Sequence, residues 1–392
     1  MSLPLEGLKV LDFSTLLPGP YASMMLADMG AKVVKVESPS RPDMLQGLAP
    51  LFTSDKRQTS YASLTLNRNK RSVTLDLKNP DSVKAIKCLV KDFDVVIEQF
   101  RPGVMAKLGL DFSALSEVNP KLIYCSITGY GQTGPLASKA GHDINYLALS
   151  GLASYSGNQQ SGPKLSGTQI ADIAGGAHHA VMGILAALVK RNSSGNGQYL
   201  DISMTDAAFS LNALFGAGAL ATGKSPDLGE TLLNGGCFYD YYQTSDSRYL
   251  SIGGLEPKFA SEFFQLIGHA SWFKRHLSLN AQHQAELKSD IQSVIGKQSM
   301  DYWMALFTDT DVCVEPVLSV IEAAQSELFE HRQMLTNVEV DGEKVTQIAS
   351  PIKFSSTATS NTAAPIKGEY NQGLLTELGF SPQQIKEMTN EK

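Results

Sequence analysis

Apolar and polar positions along the first hundred residues alternate between two periods. Leu8–Phe13 (LKVLDF), Lys32–Glu37 (KVVKVE), Ser72–Leu77 (SVTLDL) and Asp94–Glu98 (DVVIE) are short runs rich in β-branched residues, and Leu122–Thr128 (LIYCSIT) continues the series. Between them, Tyr21–Met29 and Asp81–Lys91 carry helical spacing. Pro18-Gly19-Pro20 breaks the chain before the first helix and Gly30 ends that helix. Strand, helix and strand in succession predict parallel pairing with a right-handed crossover, hence an α/β layered domain. Residues 41–66 show no period and predict irregular chain. Thr168–Val189 predicts a small-residue-rich helix, Gln198–Met204 a strand and Thr205–Thr222 a helix. From about residue 225 the pattern changes. Phe238–Gln243 and Tyr249–Ile252 predict a hairpin, followed by amphipathic helices to about residue 330. Two short strands, a Ser/Thr/Asn/Ala-rich linker (Ser355–Ala364) and a terminal amphipathic helix complete the chain. The expected division is a large α/β domain over 1–224, a small domain over 225–330 and a segment over 331–392 that returns to the large domain.

Composition narrows the class. The 392 residues carry 33 Lys+Arg against 39 Asp+Glu, a formal charge of −6, with 43% hydrophobic and 18% charged residues. That balance is too apolar for disorder, and its mild acidity argues against a nucleic-acid partner. No apolar run reaches the roughly 18 residues of a spanning helix, and Met1-Ser2-Leu3-Pro4 opens no signal peptide. The expectation is a cytoplasmic protein without a membrane partner. Cys88, Cys125, Cys237 and Cys313 form no close pair and read as reduced core residues. His178-His179 are adjacent on a helix and point in different directions, so no metal site is expected.

Two nucleotide motifs occur out of context. Gly129-Tyr130-Gly131-Gln132-Thr133-Gly134 matches GxGxxG after a strand, but Pro135 follows where the pyrophosphate-binding helix should begin. Gly218–Ser225 matches the phosphate-loop pattern, yet it ends a helix and runs into Pro226, so Gly223 reads as a helix C-cap.

The residues with chemical potential lie between these motifs. Gly141-His142-Asp143-Ile144-Asn145-Tyr146 concentrates polar groups after the glycine-rich loop. Thirty positions beyond His142, Asp172 stands alone in an apolar run at the start of the long helix. It reads either as an N-cap or as a carboxyl whose surroundings raise its pKa for acid–base work.

Set beside these residues, the chain resembles the class III CoA-transferase (CaiB/BaiF) family, and within it the alpha-methylacyl-CoA racemase subgroup. The resemblance rests on Leu5–Asp12, Pro18-Gly19-Pro20, Leu26–Glu37, Asn67–Ser72, Phe100–Val104, Gly129–Pro135, Ala171–Gly176 and Glu377-Leu378-Gly379-Phe380, in that order. It implies a large Rossmann-like parallel-sheet domain plus a smaller α+β domain. It also implies an acyl-CoA substrate and an interlocked, ring-like homodimer, with the active site between the large domain of one chain and the small domain of its partner.

Two activities follow from the resemblance, and both use Asp172. In a transferase it is the nucleophile that attacks the thioester. In a racemase it shares α-proton transfer with a histidine on the opposite face, here His142, whose presence favours that activity. The racemase chemistry is racemisation of 2-methylacyl-CoA through an enolate, with no cofactor beyond the CoA of the substrate. The resemblance further implies that Glu256 of the partner chain orients the histidine, with Asp143 in a similar supporting role. Main-chain N–H groups near Asp172 and the Gly175-Gly176 helix are the expected donors to the enolate oxygen. An acidic chain needs local cations for CoA phosphates. Arg68, Lys70, Arg71 and Arg101 are the expected contacts, with Asn69, Gly141, Tyr146 and Arg41 beside them. Ser38 stands where many family members carry an arginine.

Overall fold

The protein is described from a computed structural model that covers residues 2–355 and 361–390, so residues 356–360 of the expected linker lie outside the described residues. Two compact units emerge. The first comprises Met1–Leu149, Gly167–Ser210 and Glu327–Lys392; the second comprises Ser150–Ser166 and Leu211–Ser326. These boundaries differ from 1–224 and 225–330. Ser150–Ser166 belongs with the second unit because Tyr155 hydroxyl donates to Asn212 (2.8 Å), Asn212 donates to Ser150 O (2.9 Å), and Asn234 donates to Tyr155 O.

The first unit is built on a parallel sheet. Its elements are β1 (Lys9–Asp12), α1 (Pro18–Asp28), β2 (Lys32–Glu37), β3 (Lys70–Thr74), α2 (Pro80–Val90), β4 (Val95–Glu98), β5 (Ile123–Thr128), α3 (Asp143–Leu149), a π-helix (Ala171–His178), α4 (His179–Ser194), β6 (Gln198–Ser203) and α5 (Met204–Ser210). The strand order is β6-β5-β4-β1-β2-β3, and all pairs are parallel. Both faces are covered, which explains the unbroken apolar runs: Val10, Leu11, Val95, Val96, Ile97 and Ile123 are fully buried. The order reverses between β1 and β4, and in such sheets the carboxyl ends of the strands at a reversal open a ligand crevice.

Several expectations shift locally. Pro18-Gly19-Pro20 forms the first turn of α1 instead of breaking the chain, because proline at the start of a helix gives up an N–H that had no partner. Strand β3 begins at Lys70, two residues before the expected start, pairing Val33 with Lys70 through Glu37 with Thr74. Residues 41–66 are ordered into a hairpin (Leu51–Thr53, Gln58–Ser60) and a helix over Tyr61–Leu66 capped by Ser60. Phe52 and Leu64 from this segment share a core with Val338, Val340 and Val345. The π-helix and α4 together span 24 residues, long and apolar enough to cross a membrane by length and composition. Here they form a layer helix packed on α1, β5, β6 and α5, with Asp172 in the first turn.

In the second unit, α6 (Phe215–Thr222) ends at Gly223 in the left-handed conformation, φ 72°, as expected of a helix C-cap. Strands β7 (Asp240–Gln243) and β8 (Tyr249–Ile252) form the expected hairpin. A third strand, β9 (Val314–Pro316), adds to β8, and α7 (Pro257–Leu266), α8 (Ala281–Ile295) and α9 (Met300–Phe307) complete an aromatic-rich core. The chain then rejoins the first unit through a hairpin and two terminal helices, Asn371–Glu377 and Pro382–Thr389, whose Leu375, Ile385 and Met388 are fully buried. All four cysteines are free, but only Cys125 and Cys237 are buried; Cys88 is half-buried and Cys313 exposed.

Candidate active site

Strand β5 delivers the chain to the glycine-rich loop at the carboxyl edge of the sheet. The loop is fastened to its neighbours. Thr205 donates to Gly129 O from its N–H (3.0 Å) and its hydroxyl (2.6 Å), and Asp201 accepts from the Gln132 N–H at 3.0 Å. The glycines serve a buried ring, not a nucleotide. A Cβ on Gly129 would sit 2.6 Å from the Tyr146 ring, and one on Gly141 would sit 2.7 Å from it. The Tyr146 hydroxyl donates to Gly141 O (2.6 Å), and its ring lies edge-on to Tyr130 at 5.2 Å. No helix follows until Asp143, which removes the geometry a dinucleotide phosphate requires.

His142 sits at the head of α3. Its N–H donates to Asn145 Oδ1 (3.0 Å), and its carbonyl accepts from the N–H groups of Asn145 (2.8 Å) and Tyr146 (3.3 Å). The backbone is therefore fixed while the imidazole faces outward, exposed. The next residue turns the other way. Asp143 Oδ1 accepts from the N–H groups of Ala171 (2.6 Å) and Asp172 (3.1 Å). The capping role that the sequence allowed for Asp172 thus falls to Asp143, reaching across from another helix. This corrects one expectation: the N–H groups of Ala171 and Asp172 are committed to Asp143 and do not wait for an enolate oxygen.

Freed from capping, the Asp172 carboxyl is half-buried and electrostatically unusual. Burial raises its pKa to about 6, the Asp143 charge adds to the rise, and His142 opposes it. A carboxyl near its pKa at neutral pH can both give and take a proton. Tyr146 is pushed up to about 12 by burial and then by Asp172, Tyr130 and Asp143, so it remains a hydroxyl donor. The π-helix beneath Asp172 packs closely: a Cβ on Gly175 would lie 3.2 Å from Met204 O, and one on Gly176 would lie 3.0 Å from Pro18 Cβ.

The expected CoA contacts separate into two groups. Arg68 and Lys70 are buried and ion-paired, Arg68 with Asp28 at 2.6 Å and Lys70 with Asp12 at 3.3 Å. They are structural ties, which corrects their reading as CoA phosphate contacts. Asn69, at φ 61°, donates to Asp28 and Asn361 and accepts from the Thr362 N–H, stitching the C-terminal segment to this turn. Arg71 is exposed and lies 4.6 Å over the Tyr370 ring. Arg41 and Arg101 are exposed. Glu256, in the second unit, is exposed at the N-cap of α7 and makes no side-chain capping bond.

One residue escaped the sequence reading. Glu98, at the end of β4, is buried, and burial pushes its pKa up to about 7 despite a hydrogen bond from Ser126. Its Oε2 accepts from the Phe100 N–H at 2.8 Å, setting the turn that presents Arg101. The signal was a lone acid closing an apolar strand. A cleft of about 500 Å³ lined by Lys91, Asp94, Lys121 and Arg191 lies at the amino ends of the strands, opposite this chemistry, and is bridged by the Arg191–Asp94 pair at 2.9 Å.

Comparison with known proteins places the chain in a family. Residues 5–371 match the family described as CoA-transferase family III. The chain is 34% identical over 394 residues to human alpha-methylacyl-CoA racemase, covering 100% of this chain and 97% of that protein. It is also 33% identical over 385 residues to succinate–glutarate CoA-transferase of Agrobacterium fabrum, covering 96% of each. A crystal structure of a CaiB/BaiF family protein from Brucella suis superposes with a TM-score of 0.84 at 29% identity, covering 96% of this chain and 100% of that one. The mixed α/β fold with its large parallel sheet is that of these proteins, and the chain belongs to CoA-transferase family III.

Proposed function

We propose that the protein racemises 2-methylacyl-CoA thioesters by proton transfer between His142 and Asp172. The observation that carries this reading is an exposed imidazole, His142, whose charge acts on a half-buried carboxyl raised to about 6. A thioester acidifies its α C–H because the carbanion delocalises into an enolate. Neutral His142 takes the proton from one face as the C–H electron pair moves into the enolate, and protonated Asp172 returns a proton to the other face. The reverse protonation states serve the opposite enantiomer. A carboxyl raised to about 6 can take and return a proton near neutral pH. The reaction needs no group beyond these side chains and the CoA thioester.

The transferase reading keeps Asp172 and changes its role. Its ionised form would attack the thioester carbonyl, expel CoA thiolate and form a mixed anhydride. The similarity to succinate–glutarate CoA-transferase supports it. His142 has no part in that chemistry, which is why its position beside Asp172 favours proton transfer.

An interlocked homodimer belongs to the same proposal. Helix α6 has no buried residue among Phe215–Thr222 although it is almost wholly apolar, and Leu214 and Leu220 are 66% and 77% exposed. Apolar faces of this kind mark association surfaces. In the proposed dimer, Glu256 of the partner chain reaches His142. Light scattering at micromolar concentration tests the assembly, with twice the 42.3 kDa chain mass expected. A monomer would overturn both the dimer and the role of Glu256.

A further inference from the structure

A π-helix is a rare support for a reacting carboxyl, and its far end is closed by a side chain with no role in the chemistry above. Ala171–His178 is wound as a π-helix, whose main-chain pairing runs five residues apart; from His179 the register is four. The change disturbs main-chain pairing at the junction. There the His179 N–H donates to Gly176 O, three residues back. In the five-residue register that N–H would serve Ala174 O. The His179 ring reaches that carbonyl as well, with Nδ1 2.7 Å from the oxygen. A carbonyl oxygen can only accept, so Nδ1 carries the proton, as it does in both the Nδ1–H neutral ring and the imidazolium. The neighbouring His178 ring lies edge-on to Tyr21 of α1 at 5.9 Å.

The π-helix is therefore held in three places. Asp143 caps its amino end, Gly175 and Gly176 seat its middle against Met204 and Pro18, and His179 closes its last turn. Relaxation to the ordinary α register would remove one residue from the wide turn. Everything before it would rotate by about 100° around the helix axis, at 3.6 residues per turn. Asp172 lies in that part and would swing away from His142.

We infer that His179 is a positioning residue: its imidazole N–H ties down the Ala174 carbonyl and holds the helical register that aims the Asp172 carboxyl. The inference rests on Asp172 being the reacting carboxyl, a point common to the proton-transfer and acyl-transfer readings.

The test compares His179→Leu, which fills similar space without a donor, with His179→Asn, whose amide N–H can stand near the Nδ1 position. Turnover of a 2-methylacyl-CoA, its KM, the pH profile of kcat and CoA affinity are measured for each. His179→Leu is expected to lower kcat on the order of 10- to 100-fold, the scale of a misplacement near 1 Å, with KM and CoA affinity within about twofold. The limb of the kcat profile set by Asp172, near pH 6, should move, and His179→Asn should restore both kcat and the limb. Wild-type kcat in His179→Leu would overturn the inference, as would an equal loss of kcat and CoA affinity that asparagine does not repair. If the leucine variant does not fold, His179→Asn decides alone: a kcat and pH limb near wild type support the inference, and a folded variant as impaired as Asp172→Asn refutes it. Full turnover in Asp172→Asn would instead refute the reading of Asp172 itself.

Discussion

Asp12, at the end of β1, and Asp172, on the π-helix, are both carboxylates removed from water, yet the protein treats them in opposite ways. Burial would raise Asp12, but Lys70, Lys35 and the hydroxyls of Ser14 and Ser23 outweigh it and hold its pKa below the ordinary value. Two buried acids nearby are also ion-paired: Asp43 with Lys35 at 3.1 Å, and Asp28 with Arg68 at 2.6 Å. Asp172 has burial and Asp143 raising it, and His142 opposing. Around β1, β2 and β3 these buried acids are each matched to a cation. Around the π-helix the acid is left near its titration point and its helix is fixed by hydrogen bonds to main chain. A paired buried charge stabilises one structure; an incompletely compensated one is available for proton transfer.

The sharpest way to break this contrast is Asp172→Asn. It should lower racemisation by about 10³- to 10⁴-fold while leaving CoA binding intact, and His142→Ala should do the same, since general acid–base groups contribute on that scale. Activity within about twofold of wild type in His142→Ala, only about 0.4 kcal/mol of barrier, would remove the two-base mechanism. Next in size is Lys70→Ala. It should destabilise the fold by about 3–5 kcal/mol, because Asp12 would be left buried without its paired cation. Denaturant unfolding measures this, and a loss below 1 kcal/mol would show the network to be dispensable. Arg101→Ala should weaken CoA binding by about 1.5–3 kcal/mol, the worth of a charged hydrogen bond, with kcat near wild type. Calorimetric titration with CoA reads it.

The smallest effect tests the electrostatics directly. A carboxyl whose pKa rises from 3.8 to about 6 on folding contributes stability that is complete below 3.8 and lost as pH rises through about 6. Asp172→Asn removes that loss. The variant should therefore be more stable than wild type at pH 8, by about 1–2 kcal/mol after discounting for partial exposure, and indistinguishable from it near pH 3.5. Thermal melts at the two pH values give the comparison; a gain at low pH only would reverse the assigned sign.

The same contrast explains what the sequence could reveal. Lys32–Glu37 was legible to the residue because a parallel strand covered on both faces is a plain apolar run. Strand β3 was misplaced because Lys70 and Arg68 look like surface charge. Their partners, Asp12 and Asp28, lie 58 and 40 positions away, and pairing over that distance leaves no local trace. His142, Asp143 and Asp172 were legible as residues but not as an arrangement. Nothing local says that Asp143 caps the helix of Asp172, or that the helix is wide. Glu98 was hidden for the same reason: an acid at a strand end reads as exposed until the strands on either side bury it.

The central claim is that His142 and Asp172 move a proton at the α-carbon of a CoA thioester. Incubation of a single enantiomer of a 2-methylacyl-CoA in deuterium oxide, without any acceptor acid, tests it most directly. The account predicts incorporation of deuterium at the α-carbon together with loss of stereochemical purity, both abolished in His142→Ala with Asp172→Asn. Retention of the α-proton and configuration, with CoA passing to a carboxylate once one is added, would contradict it and assign Asp172 to acyl transfer.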